Sequence, residues 1–172
     1  EAIDQEITTL LVGYDGRLSS PTLSIALIEG IRSSGCSVVS IGLVPTPLLY
    51  FATHTTDHAS GVMLTASHNP ANYNGLKIVF NRTCLADNQI QTIRSRIEND
   101  QLRTGCGSFT ELQVDRNYIE DICGRIRLHK KLRVVIDCGN AVPGKIAPLL
   151  FEALGCEVHP IFCEIDGSFP NH

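Results

Sequence analysis

Apolar residues come along this chain in two kinds of run. Some runs are short, unbroken and rich in β-branched residues; the stretches between them carry apolar residues at every third or fourth position. Thr8 to Val12, Val38 to Leu43, Gly61 to Leu64 and the segment around Ile78 belong to the first kind and read as buried strands. The first helical stretch opens at Ser20, read as an N-cap, with Pro21 at the first helical position, where its missing N–H costs nothing. Leu23, Leu27 and Ile31, with Ile28 beside them, make its apolar face, and Gly35 marks the stop. Pro45-Thr46-Pro47 starts a shorter helix from Leu48 to about Thr55. Asp87 caps another, with Ile90, Ile93 and Ile97 as its buried stripe and Arg94, Arg96 and Glu98 on its wet side. Residues 101–114 show no strong periodicity. Arg116 to Arg127 reads as a third clear helix, with Tyr118, Ile119, Ile122, Cys123 and Ile126 toward the core.

The pattern then starts again. Leu132 to Ile136 is a fresh strand, Asp137-Cys138-Gly139-Asn140 its turn, and Lys145 to Leu154 a helix with Ile146, Leu149, Leu150 and Leu154 inward and Gly155 as its stop. Cys156 to Phe162 is a further strand. This alternation predicts an α/β fold: a mixed, largely parallel sheet flanked by helices over residues 1–127, then the incomplete start of a second, similar α/β domain over 128–172. The boundary falls within residues 124–131. A second unit of about 40 residues cannot bury much core by itself, so the chain reads as a fragment.

Composition narrows the function classes. The chain has 172 residues, 43% hydrophobic and 19% charged, with a formal net charge of -4. This is a globular composition with no electrostatic footprint for nucleic acid. Basic residues do gather at Arg125, Arg127, Lys130, Lys131 and Arg133, where they suit a solvated helix end facing the helix dipole. No apolar run approaches the ~20 residues that span a bilayer, which argues against a membrane partner. The seven cysteines are odd in number and form no C-x-x-C pair. They read as reduced, structural thiols in a cytoplasmic protein.

Chemistry concentrates at Thr65-Ala66-Ser67-His68-Asn69-Pro70 and the following Tyr73-Asn74-Gly75-Leu76-Lys77, a polar loop at the carboxyl end of a buried strand. Ser67 has three readings. The G-x-S-x-G context of a triad hydrolase is absent. A serine among amides can carry a phosphoryl group if cations balance it, and Lys77, Arg17 and a divalent metal would serve. The remaining reading is a serine turn before Asn-Pro. Magnesium wants hard oxygen ligands, and Asp15, Asp57, Asp137 and Asp166 are scattered along the chain. His54 and His58 stand four apart but lack the glutamate of H-E-x-x-H and a third ligand. The glycine turns at residues 13–16 and 138–144 match neither a dinucleotide fingerprint nor a Walker loop. They leave open a small-ligand or phosphate-binding module without catalysis.

The Thr65–Pro70 motif resembles that of the α-D-phosphohexomutase family, in which it carries a phosphoserine. Val12-Gly13-Tyr14-Asp15-Gly16-Arg17-Leu18-Ser19-Ser20, Val44-Pro45-Thr46-Pro47, Tyr73 to Lys77, Val135 to Asn140 and Glu164 to His172 are similar to further family segments, so the resemblance covers nearly the whole chain. It is closest to the bacterial phosphomannomutase/phosphoglucomutase branch. The resemblance implies that Ser67 exchanges a phosphoryl group with a mannose or glucose phosphate through a bound 1,6-bisphosphate, interconverting hexose 1-phosphate and hexose 6-phosphate. It makes Ser67, His68, Lys77 and Arg17 catalytic, with Lys77 or Arg17 assisting proton transfer, and gives Asn69 and Asn74 to substrate binding. It also implies Mg²⁺, ligated through the phosphate on Ser67 and by aspartates of a later acidic loop. Ala141 and Pro143 stand where relatives often have Gly and Ala, a departure that stiffens that turn. The chain is accordingly expected to be a first domain and part of a second, inactive alone.

Overall fold

The unbroken apolar runs become the centre of a mixed sheet in the computed structural model, which describes residues 1–171. Strands β1 (Thr9–Tyr14), β2 (Ser37–Leu43), β3 (Gly61–Leu64), β4 (Leu76–Phe80), β5 (Thr83–Cys84) and β6 (Phe109–Glu111) are ordered β5-β4-β3-β1-β2-β6. β1 pairs parallel with β2 and β3, and β2 parallel with β6, while β4 runs antiparallel to β3 and β5. Helices α1 (Ser20–Ser33) and α2 (Thr46–Thr55) cover opposite faces. Alternation along the strands makes this visible. Leu11, Met63 and Val79 pack with Leu48, Leu49 and Ala52 of α2, whereas their neighbours Leu10, Val62 and Phe80 pack with Leu27 and Ile31 of α1. Because β1 is flanked by β2 on one side and β3 on the other, the strand order reverses at its carboxyl end.

A second, two-stranded parallel sheet is built from β7 (Arg133–Asp137) and β8 (Glu157–Ile161), with α5 (Ala147–Ala153) between them in sequence. Helix α4 (Asp115–Arg125) links the two sheets, packing on α2 and α5, and Phe51 of α2 meets Tyr118 edge-on at 5.3 Å. Ile146, from the second unit, belongs to the same apolar cluster as Leu11 and Leu48. Lys145 adds polar ties across the junction, 2.8 Å from Asp115 Oδ2 and donating to the Leu43 carbonyl.

Several expectations need correction. Ser19, not Ser20, precedes the first turn of α1, and the Ser20 hydroxyl turns inward to Asp15 instead of capping. Leu23 is exposed. Helix α3 (Asp87–Glu98) has no buried residue; Ala86 precedes it, Ile90 and Ile97 are exposed, and Ile93 and Ile97 line an apolar cleft shared with α1. Its stripe is apolar but has no close-packed partner among the described residues. The predicted helix from Lys145 is broken into a 3₁₀ turn, Val142–Lys145, and α5. Pro148 has no N–H to give the Gly144 carbonyl and its ring would crowd that carbonyl, so it fits only in a first turn: the break falls at Ile146, and α5 starts at Ala147. Leu149 of α5 is exposed, because two strands cannot cover the whole helix. Ile126 lies past the end of α4 and is exposed. The aperiodic stretch after α3 contains β6, an edge strand exposed at every residue.

Candidate active site

Three segments meet at the carboxyl ends of β1, β2 and β3: Asp15 to Ser19, Val44 to Pro47 and Thr65 to Gly75. Together with Ala141 to Pro143 and Phe169 they enclose a crevice of about 320 Å³. Its position is the one at which open α/β sheets take ligands, beside the reversal of strand order.

Asp15 and Arg17 are the buried polar centre. Arg17 is 2% exposed, and every guanidinium N–H has a protein acceptor. Nε donates to Asp15 Oδ2 at 3.1 Å, Nη1 to the carbonyls of Pro70 at 2.6 Å and Tyr73 at 3.1 Å, and Nη2 to those of Ser67 at 2.9 Å and Asn69 at 2.8 Å. An arginine has five such donors, so none remains for a substrate phosphate. Phe169 lies over the guanidinium, its ring centre 5.3 Å away. Asp15 also accepts from the hydroxyls of Ser20 and Thr65, both at 2.7 Å, and from the Arg17 N–H at 3.2 Å. Thr65 in turn accepts the Ser67 N–H at 3.0 Å.

Ser67 itself is exposed at the crevice mouth with φ of 56°, a left-handed conformation uncommon for a residue with a Cβ. His68 and Asn69 follow it at the surface and also line the crevice. The Asn69 side-chain amide donates to the Ala66 carbonyl at 2.9 Å. Asn74 donates to the Ser19 and Ser20 hydroxyls and accepts the Gly75 N–H, which fastens the loop to the start of α1. Lys77 does not line the crevice. It stands directly opposite Met63, which does, so the two side chains leave the sheet on the same face and Lys77 lies one strand outward. Thus the structure brings Arg17, Ser67, His68 and Asn69 together, sets Lys77 at the margin and uses Asn74 behind the loop. Asp15, Thr65, Ser20 and Phe169 complete the arrangement without having been singled out as site residues.

The wall from the second unit is equally organised. Buried Asn140 donates to the Glu164 carbonyl at 3.0 Å and accepts from Asn171 at 2.8 Å. The Ser168 hydroxyl, and then its backbone N–H, hold the Asp166 carboxyl below the usual carboxylate range and shape the turn that presents Phe169. Cys138 lies 3.5 Å from Cys163, sulfur to sulfur; burial first, then that thiol and the charge of Asp137, push its pKa to about 12. All seven cysteines are free.

No group of three or more His, Cys, Asp or Glu among the described residues is placed to hold a metal. Asp15, the carboxylate lining the crevice, already accepts four hydrogen bonds. The carboxylates among the described residues therefore do not form a magnesium site. His54 and His58 do not share a helix face either, since α2 ends at Thr55.

The family description "Phosphoglucomutase/phosphomannomutase, alpha/beta/alpha domain I" matches residues 2–104, and that of domain II matches 116–172. The chain belongs to the phosphoglucomutase/phosphomannomutase family. Among its relatives, the phosphomannomutase/phosphoglucomutase of Pseudomonas aeruginosa is 52% identical over 161 residues, 94% of this chain. The phosphoglucomutase of Neisseria meningitidis serogroup B is 42% identical over the full chain. A crystal structure of a family protein from Burkholderia thailandensis superposes with a TM-score of 0.97 at 41% identity, covering 99% of this chain and 39% of that one. The mixed, mostly parallel sheet with flanking helices, and the smaller unit after it, thus have the fold of this family's domains I and II. The chain spans about a third of the length of such relatives, 35% of the Pseudomonas protein.

Proposed function

We propose that this chain carries the phosphoryl-exchanging serine of a phosphohexomutase acting on mannose and glucose phosphates, and that Ser67 is that serine. The observation that carries the reading is Ser67 itself. It is exposed at the mouth of the crevice, in a left-handed conformation that Arg17 and Thr65 hold from either side. In the first transfer, the 6-hydroxyl oxygen of a bound hexose 1-phosphate attacks the phosphorus on Ser67. The bond from phosphorus to Oγ breaks, the hydroxyl proton passes to a base, and the sugar becomes a 1,6-bisphosphate. After the intermediate turns over, Oγ attacks the 1-phosphate, the proton returns to the anomeric oxygen, and hexose 6-phosphate leaves. Two easier transfers replace one difficult one.

Of the two groups offered for proton transfer, Arg17 has every guanidinium N–H engaged, so the role goes to Lys77, on the crevice face of the sheet, and His68 borders the phosphoryl position. Asn74, whose amide is taken up by Ser19, Ser20 and Gly75, fastens the loop, and Asn69, which gives one amide hydrogen to Ala66 and lines the crevice, is the one of the two proposed to meet substrate. A magnesium ion would take an oxygen of the Ser67 phosphate as its ligand from the described residues, and would offset phosphoryl charge when bound. Free cysteines throughout the chain support a reducing, cytoplasmic setting. No helix among the described residues is long and apolar enough to cross a membrane.

The test is Ser67→Ala in the full-length protein, assayed for conversion of mannose 1-phosphate and glucose 1-phosphate. Loss of more than about 10³-fold in kcat, with the fold intact, is expected. Wild-type conversion by the variant would leave a ligand-binding crevice without a nucleophile.

A further inference from the structure

We propose that Asp15 is a positioning residue for Ser67, acting through Thr65 and Arg17; the proposal rests on the reading of Ser67 as phosphoryl carrier. The two peptide groups that flank the Ser67 Cα are each held by one side chain. Its N–H is received by the Thr65 hydroxyl at 3.0 Å, and its carbonyl receives Arg17 Nη2 at 2.9 Å. Both holders meet at one atom. Asp15 Oδ2 accepts the Thr65 hydroxyl at 2.7 Å and Arg17 Nε at 3.1 Å.

A threonine hydroxyl has one hydrogen and accepts with its remaining lone pairs. Because Thr65 gives that hydrogen to Asp15, its lone pairs are left for the Ser67 N–H, and the carboxylate fixes which way the relay runs. On the other side the same oxygen sets the rotation of the guanidinium, whose planar fork then reaches the loop carbonyls. Asp15 Oδ1 is held in turn by the Ser20 hydroxyl and the Arg17 N–H, so the carboxylate cannot swing. The direction of the Ser67 Cα–Cβ bond follows from these two peptide planes, and with φ of 56° it is a conformation that surrounding structure has to enforce. Asp15 thereby aims Oγ without touching the substrate.

The experiment uses the full-length protein with glucose 1,6-bisphosphate and Mg²⁺. It reads the rate of phosphate gain at Ser67 by quenched-flow mass spectrometry, KM for glucose 1-phosphate, and the ³¹P resonance of the phosphoserine. Asp15→Asn and Thr65→Val are each expected to slow transfer by about 10²-fold while KM changes by less than about threefold, the cost of a misaimed nucleophile rather than of weakened binding. The ³¹P line should shift or split in both variants. Thr65→Ser, which restores the hydroxyl, should recover most of the rate lost in Thr65→Val. The double variant Asp15→Asn/Thr65→Val should be slower than Asp15→Asn by less than about threefold, since the two act in one chain. Transfer at the wild-type rate in Thr65→Val, or losses that multiply in the double variant, would overturn the proposal. If Asp15→Asn does not fold, the contrast between Thr65→Val and Thr65→Ser decides alone. A wild-type protein that takes no phosphate on Ser67 would refute the functional reading itself; one that does, with Thr65→Val unimpaired, would refute only the positioning.

Discussion

Arg17 has the charge expected of a residue that meets phosphate, yet its surroundings use it otherwise. With all five donors engaged and its side chain buried, it joins Asp15, the Ser67 loop and Phe169. Arg17→Met keeps much of the volume but leaves Asp15 a buried carboxylate without its cation. It should lower stability by about 3–5 kcal/mol in urea unfolding of the full-length protein. A loss below about 1 kcal/mol, the range of an exposed ion pair, would contradict the clamp. Ser67 and Arg17, which both line the crevice, stand out in the sequence as candidates because each sits in a short motif whose chemistry is unusual for a loop. Asp15 does not. A single aspartate after a strand reads as a turn residue, and its donors come from positions 17, 20 and 65, whose convergence depends on the pairing of β1 with β3.

At the level of elements, burial separates helices that looked alike as patterns. Leu48 of α2 is fully buried against the sheet, whereas Ile97 of α3 is 62% exposed. Leu48→Ala is therefore expected to cost about 2–5 kcal/mol, and Ile97→Ala less than about 0.5 kcal/mol, by denaturant unfolding. Comparable costs would mean that α3 packs as closely as α2. The strands β1, β2 and β3 were readable because helices cover both faces and leave continuous apolar runs. β6 was unreadable because an exposed edge strand has no face to mark. Periodicity reports that α3 has an apolar side, not that anything close-packs against it, and a hydrophobic run through Pro148 conceals the break before α5.

Across the whole molecule, the two units meet directly behind the site. A Cβ on Gly167 would lie 2.6 Å from both the Gly16 carbonyl oxygen and the Leu18 nitrogen, backbone that cannot yield without moving the Arg17 turn. Gly167→Ala should therefore lower stability by about 1–3 kcal/mol. It should also speed hydrogen exchange at the Ser67 to Tyr73 amides, as Phe169 is displaced from Arg17. Unchanged exchange in that loop would show that the second unit does not brace it. The sequence disclosed two α/β units but not that they share a core cluster or that Phe169 stacks on Arg17, since such contacts join positions about 100 to 150 residues apart in the numbering only after folding. The central claim remains that Ser67 is the phosphoryl carrier, and intact-mass measurement tests it most directly. Full-length protein incubated with glucose 1,6-bisphosphate and Mg²⁺ should gain one phosphate, mapped by peptide sequencing to Ser67 and absent from Ser67→Ala. A phosphate on another residue, or none at all, would contradict the account.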